Sequence, residues 1–152
     1  MNMRAPAPLS AEYHELHAEL ERAGKAGGMT AAAAKEVTRL FQDLFVKEDE
    51  FALPPLALLK QLAKGEDASS MADARKLTDR LEAELPNLLA EHFAIVQALN
   101  RLADAADSEG LPEQMRFADK MIAHVRMKEY VLYPAAILVG RYLKAMTAPH
   151  AG

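Results

Sequence analysis

The chain repeats a proline-ended amphipathic segment at a distance of eighty residues, and this constrains its fold more than any other feature. Residues 44–55 read "LFVKEDEFALPP" and residues 124–134 read "HVRMKEYVLYP". With Leu44 laid on His124, Glu48 falls on Lys128, Asp49 on Glu129, Leu53 on Tyr133 and Pro54 on Pro134. Apolar residues recur in both copies at the three-to-four spacing of a helix. A proline inside a helix removes one backbone donor and bends the ladder. Two such helices in one chain imply two similar helical hairpins related by a pseudo-twofold axis.

The remaining segments complete this picture. Breaker clusters "GKAGG", "KGEDASS" and "DSEG" divide the chain into four helical stretches. The first is expected over about 10–23 with Ser10 as its N-cap, and the second over about 30–64 from Thr30, kinked at Pro54 and Pro55. The third covers about 71–106 with a bend at Pro86. The fourth runs from about Pro112, a favoured first-turn proline, to about Lys144. No alternating strand pattern occurs. The expected fold is therefore all-α, an antiparallel up-down-up-down four-helix bundle. Residues 1–9 are expected to be a flexible start, 10–145 the bundle and 146–152 a frayed tail, with His150 a disordered residue rather than a functional one.

Composition sets outer limits. Hydrophobic residues are 51% of the 152, enough for one real core. A net charge of −4, with basic residues scattered among acidic ones, argues against nucleic acid as a partner. Cysteine is absent, so disulfides, thiolate metal sites and thiol catalysis are excluded. "MNMRAPAPLS" has no apolar core of a secretory signal, and no apolar run reaches the ~18 residues of a membrane span. A cytoplasmic protein without a membrane partner is expected.

Helical periodicity then selects the inward polar groups. His92 is flanked on its face by Leu85, Leu88, Leu89, Ile95, Val96 and Leu99, and His124 by Phe117, Met121, Met127 and Val131, with Lys128 one turn on. Glu48 shares a face with Leu40, Phe41, Leu44 and Phe51. In the first helix, Leu9, Tyr13, Leu16 and Leu20 mark the buried stripe, so periodicity favours His17 at its edge over His14. Burying this many ionisable groups is costly unless they pair or bind a metal. A lone core histidine is usually hydrogen-bonded rather than a ligand. Three from three helices, with a carboxylate, point towards an iron-type site. Met121, Met127, Tyr130 and Tyr133 are read as packing, with the tyrosine hydroxyls reaching the bundle end.

The segments "EYHELHAEL", "FVKEDEFALPPLALL", "AEHFAIVQAL" and "HVRMKEYVLYPAAILVG", in this order, resemble the hemerythrin-like family of cation-binding four-helix bundles. The resemblance covers nearly the whole chain. It implies a non-haem iron centre that binds or senses dioxygen, nitric oxide, peroxide or iron itself. The family pattern has His on the first helix, His-x-x-x-Glu on the second, His on the third and His-x-x-x-Glu on the fourth. Carried over, it puts metal ligands at His14 (with His17 the alternative from periodicity), Glu48, His92 and His124. Two positions depart: Leu44 stands for the second-helix His, and Lys128 for the fourth-helix Glu. Glu129, one residue later, is the substitute carboxylate.

Two expectations result. In one, a reduced site binds a single iron, or Mn or Zn, through His92, His124, Glu48 and a first-helix His, with Glu129 swinging in. In the other the chain carries no metal: Lys128 takes the cation's place, pairs with Glu48, and the bundle is an interaction or regulatory module responding to pH through its histidines. No nucleophile–base pair or phosphate loop marks an enzyme, and weak oxidase or peroxidase activity is the only catalytic reading left. Apolar residues beyond both prolines are expected to cap the core, or to support a homodimer or a protein partner.

Overall fold

A computed structural model describes residues 3–67 and 70–147, for residue 147 the backbone only. His150 lies outside them. Every regular element among the described residues is helical: α1 (Ala7–Ala23), α2 (Gly28–Lys47), α3 (Leu59–Ala63), α4 (Met71–Ser108), α5 (Pro112–Met127) and α6 (Tyr133–Thr147). A π-helical turn (Glu48–Ala52) and a 3₁₀ turn (Pro54–Leu58) join α2 to α3, and a second π turn (Lys128–Leu132) joins α5 to α6. The result is four helical segments, as expected for a four-helix bundle. No described helix is long and apolar enough to cross a membrane.

The eighty-residue repeat is written into the backbone. Both π turns begin at matching residues, and in both the bond that closes the wide turn spans five residues. Leu53 N–H donates to the Glu48 carbonyl, and Tyr133 N–H to the Lys128 carbonyl. Pro54 and Pro134 come immediately after. A proline has no N–H for the carbonyl four residues back, and its ring crowds that carbonyl. Widening the preceding turn by one residue relieves this, and the expected kink takes this form. Pro86, in contrast, is absorbed inside the continuous α4.

Two helix starts differ from the sequence expectation. α1 begins at Ala7, not Ser10, because Pro8 fits the first turn, where no donor is needed. α2 begins at Gly28, and Thr30 is a buried first-turn residue rather than the cap. The cap comes from the α4–α5 corner: Glu109 accepts from the backbone N–H of Met29 (3.1 Å) and Thr30 (2.6 Å) and from the Thr30 hydroxyl (2.5 Å). These bonds hold the Glu109 carboxyl below the usual carboxylate range. Gly28 is required here, since it has a φ of +61° and a Cβ would collide with the Glu109 carboxylate. Pro112 opens α5 as expected.

One apolar core runs through the bundle, from Leu16 and Leu20 of α1 through Val37 and Phe41 of α2 and Leu88, Ile95 and Leu99 of α4 to Phe117 and Met121 of α5. A smaller cluster of Leu58, Ala74, Val139 and Leu143 closes one end, where the residues beyond the prolines were expected to cap the core. There Gly140 lets α6 approach the buried Thr78 of α4, leaving no room for a Cβ.

Candidate functional site

The first residues of the two π turns meet inside the bundle. Lys128 Nζ donates to Glu48 Oε1 at 2.8 Å, with only 2% of Glu48 and 7% of Lys128 exposed. Each opens a π turn at the same register of the eighty-residue repeat, and the two side chains meet across the interior. The ammonium also lies 4.8 Å from the centre of the Phe41 ring, a favourable cation–π position. Glu48 Oε2 is buried without a hydrogen-bond partner among the described residues. Leu44, at the position matching His124, is fully buried in the core.

Beside this pair stands a hydrogen-bonded triad. His92 is fully buried on α4. Its Nδ1 lies 3.1 Å from Glu129 Oε1 and its Nε2 lies 3.0 Å from the Tyr133 hydroxyl. A carboxylate only accepts, so Nδ1 carries the proton and Nε2 accepts from the tyrosine. Burial pushes the His92 imidazole below the ordinary histidine value and Lys128 adds to this, while Glu48 and Glu129 pull the other way. Burial likewise raises the Tyr133 hydroxyl far above its normal range, reinforced by the charge of Glu48. The line Tyr133–His92–Glu129 therefore runs from the neutral interior to a partly exposed carboxylate. It fixes one imidazole tautomer.

The structure divides the six expected ligands. His92 and Glu129 belong to the triad, and Glu48 to the ion pair beside it. His124 makes no contact with them: it lines the same small cavity as Glu48 and Lys128, but its Nε2 lies 2.6 Å from Glu12 Oε1 at the α1–α5 edge. His17 is half-buried and pairs along its own helix with Glu21 at 3.2 Å. His14 is exposed. The first helix instead turns Tyr13 inward, stacked on Phe45 with ring centroids 3.6 Å apart. Burial, with Glu48 and Asp49 nearby, pushes its hydroxyl up to about 12. Among the described residues, no three His, Asp or Glu side chains are grouped so that they could hold a metal ion. An ammonium on the carboxylate that would ligate it adds to the misfit, since a cation there faces a buried like charge.

Two sequence readings of aromatic and sulfur side chains need correction. Tyr133 is not a packing residue at the bundle end but a fully buried donor to His92, and Tyr130 and Met127 face outward. The π turn begins at Lys128 and shifts the register by one residue, so a 100° step carried across it misplaces Tyr133, whereas Met127 precedes the turn and lies at the exposed edge of α5. Met121 does fill the core. Comparison with family models, curated proteins and solved structures finds no match.

Proposed function

We propose that this chain is an antiparallel, hemerythrin-like bundle in which a buried ion pair stands where the family holds metal, and that it works as a metal-free interaction or regulatory module of the cytoplasm. The observation that carries this reading is the Lys128–Glu48 contact at 2.8 Å, made by residues at matching positions of the repeat. A cation that crosslinked the two helical hairpins is replaced by an ammonium that does the same. Leu44 supports the reading by filling the matching ligand position with apolar bulk, and the outward turn of His14 and the edge position of His124 remove two further donors. His92, buried and neutral, supplies the pH response: its protonation places a charge in the core.

Surface character supports the interaction role. Leu59 and Leu62 of α3 and Leu138, Val139 and Tyr142 of α6 line an exposed apolar groove of about 290 Å³. Partner contact through this face, by a second copy or another protein, fits its composition.

The competing reading is the reduced site expected from the sequence, a single iron, Mn or Zn held by His92, His124, Glu48 and a first-helix His with Glu129 swinging in, serving to sense oxidants. Elemental analysis of freshly purified protein, with an optical spectrum before and after air exposure, separates the two. The proposal expects no stoichiometric metal and an unchanged melting temperature after chelator treatment. About one metal per chain, or a melting temperature that falls on chelation, overturns it.

A further inference from the structure

We infer that the groove between α3 and α6 is the contact face of a twofold dimer of this chain, with Leu138 at its centre. The two arms that follow the proline turns build this face. α3 stops at Ala63, whereas α6 continues to Thr147, one turn past Leu143, which matches Ala63 in the repeat. The last turn of α6 therefore has no counterpart in the matching arm. Ala135, Leu138, Tyr142 and Met146 fall on one stripe of α6 at helical spacing. Leu138 is 63% exposed, Tyr142 46% and Met146 41%, and across the groove Leu59 of α3 is 42% exposed. Exposed apolar residues are ordinary one at a time, but a contiguous set marks a contact surface.

Three observations select a second copy as the occupant. The first is shape. Leu138 and Tyr142 form a ridge, and beside it runs a groove of about 290 Å³ lined also by Leu62, Ala63, Ala135 and Val139. A twofold axis through this face seats the ridge of each copy in the groove of the other, the isologous arrangement of most homodimers. The second is area. The four exposed side chains leave roughly 400 Å² open to water. Apolar surface makes up about 65% of a homodimer interface, so the face corresponds to roughly 650 Å² per copy, about 1,300 Å² in the dimer and inside the range of stable complexes. The third is charge. Arg141 is paired with Glu82 at 3.3 Å and Lys144 with Asp79, so both cations of α6 are neutralised within the chain. Two copies of the helix can approach without bare like charges between them, and no unpaired charge on α6 calls for an oppositely charged partner. Lys60 and Lys64 project from the side of α3 opposite Leu62, outside the groove.

This inference rests on the interaction reading, for which it names the partner, and not on the absence of metal. The test is sedimentation equilibrium of the full chain from about 1 to 100 µM, with metal content measured on the same sample. Reversible association to the mass of two chains, and no further, is expected. Leu138→Glu sets two like charges near the twofold axis and should weaken association at least about a hundredfold, with the melting temperature of the dilute monomer unchanged. Phe93→Glu, at a comparably exposed apolar residue of α4 outside the groove, should leave the dimer intact. A chain that stays monomeric at about 100 µM overturns the inference and assigns the face to another protein. A mass that keeps growing with concentration, as in head-to-tail assembly, also overturns it, as does a dimer lost in Phe93→Glu or kept in Leu138→Glu. A metal-free monomer thus refutes this inference alone, whereas a dimer that carries stoichiometric metal supports it and refutes the metal-free reading.

Discussion

Removing one member of the central ion pair should be among the most damaging changes the chain can suffer, and removing both should be mild. In Lys128→Met the Glu48 carboxylate stays in place, 2% exposed, with its second oxygen already unpartnered. Breaking a buried pair in this way costs about 3–5 kcal/mol, against about 0–1 kcal/mol for exposed pairs. With a urea slope of about 1.5 kcal/mol/M, the midpoint should fall by about 2–3 M. Glu48→Met should cost a similar amount, because it strands the ammonium. The double variant Glu48→Met/Lys128→Met fills the same space with flexible apolar chains, and should lie within about 1–2 kcal/mol of the parent or above it. Equilibrium urea unfolding at 25 °C, followed by helical circular dichroism, measures all four corners of the cycle. A single-variant loss below about 1 kcal/mol, as for a surface pair, would refute the reasoning. So would a double variant whose loss equals the sum of the singles.

Three further outcomes are expected. His92 is held neutral by burial, so the unfolded chain takes up its proton first as pH falls. The stability this supplies is complete above about pH 6.5 and is lost as pH drops from there towards the lower folded value. Urea midpoints measured between about pH 7.5 and 5 should fall more steeply in the parent than in His92→Gln, and parallel profiles would count against a buried neutral imidazole. Glu109→Ala removes three hydrogen bonds from the start of α2 and should cost about 1–2 kcal/mol by urea unfolding, with fraying of α2 visible in amide exchange around Met29 and Thr30; no loss would show the cap to be dispensable. Finally, Leu44→His with Lys128→Glu restores both missing positions of the repeat, and metal analysis after loading with iron should show a gain in binding; no gain would sink the account of the repeat as a former metal motif.

Much of the architecture was legible in the sequence because it depends on local forces. Helical periodicity, the glycine-rich breakers and the positions of Pro54, Pro112 and Pro134 act over a turn or two of chain, and they set the number and approximate ends of the helical segments. The inward positions of Glu48 and His92 come from the same periodicity, since each sits in an apolar stripe too regular to face water. Lys128 shares the register of Glu48 through the repeat, which is why the two could be expected on one level of the bundle.

The features beyond the reach of the sequence depend on geometry between segments. A periodicity argument gives the side of a helix to within a residue, but not what stands opposite. His124 and Glu12 are 112 positions apart and meet only because α1 lies against α5. Tyr13 excludes both first-helix histidines from the interior because its ring stacks on Phe45 of α2, a contact with no local signature. Glu109 caps a helix that begins 81 positions earlier, counting from Gly28, so no scan around Thr30 could reveal it. The π turns matter most. Widening one turn by a residue rotates everything after it, and this places the Tyr133 hydroxyl on His92. The sequence alone thus determined that helices form and where they break, since those energies are local. Only the packed tertiary structure decided which charges pair in the interior, since that depends on how separate helices are turned against one another.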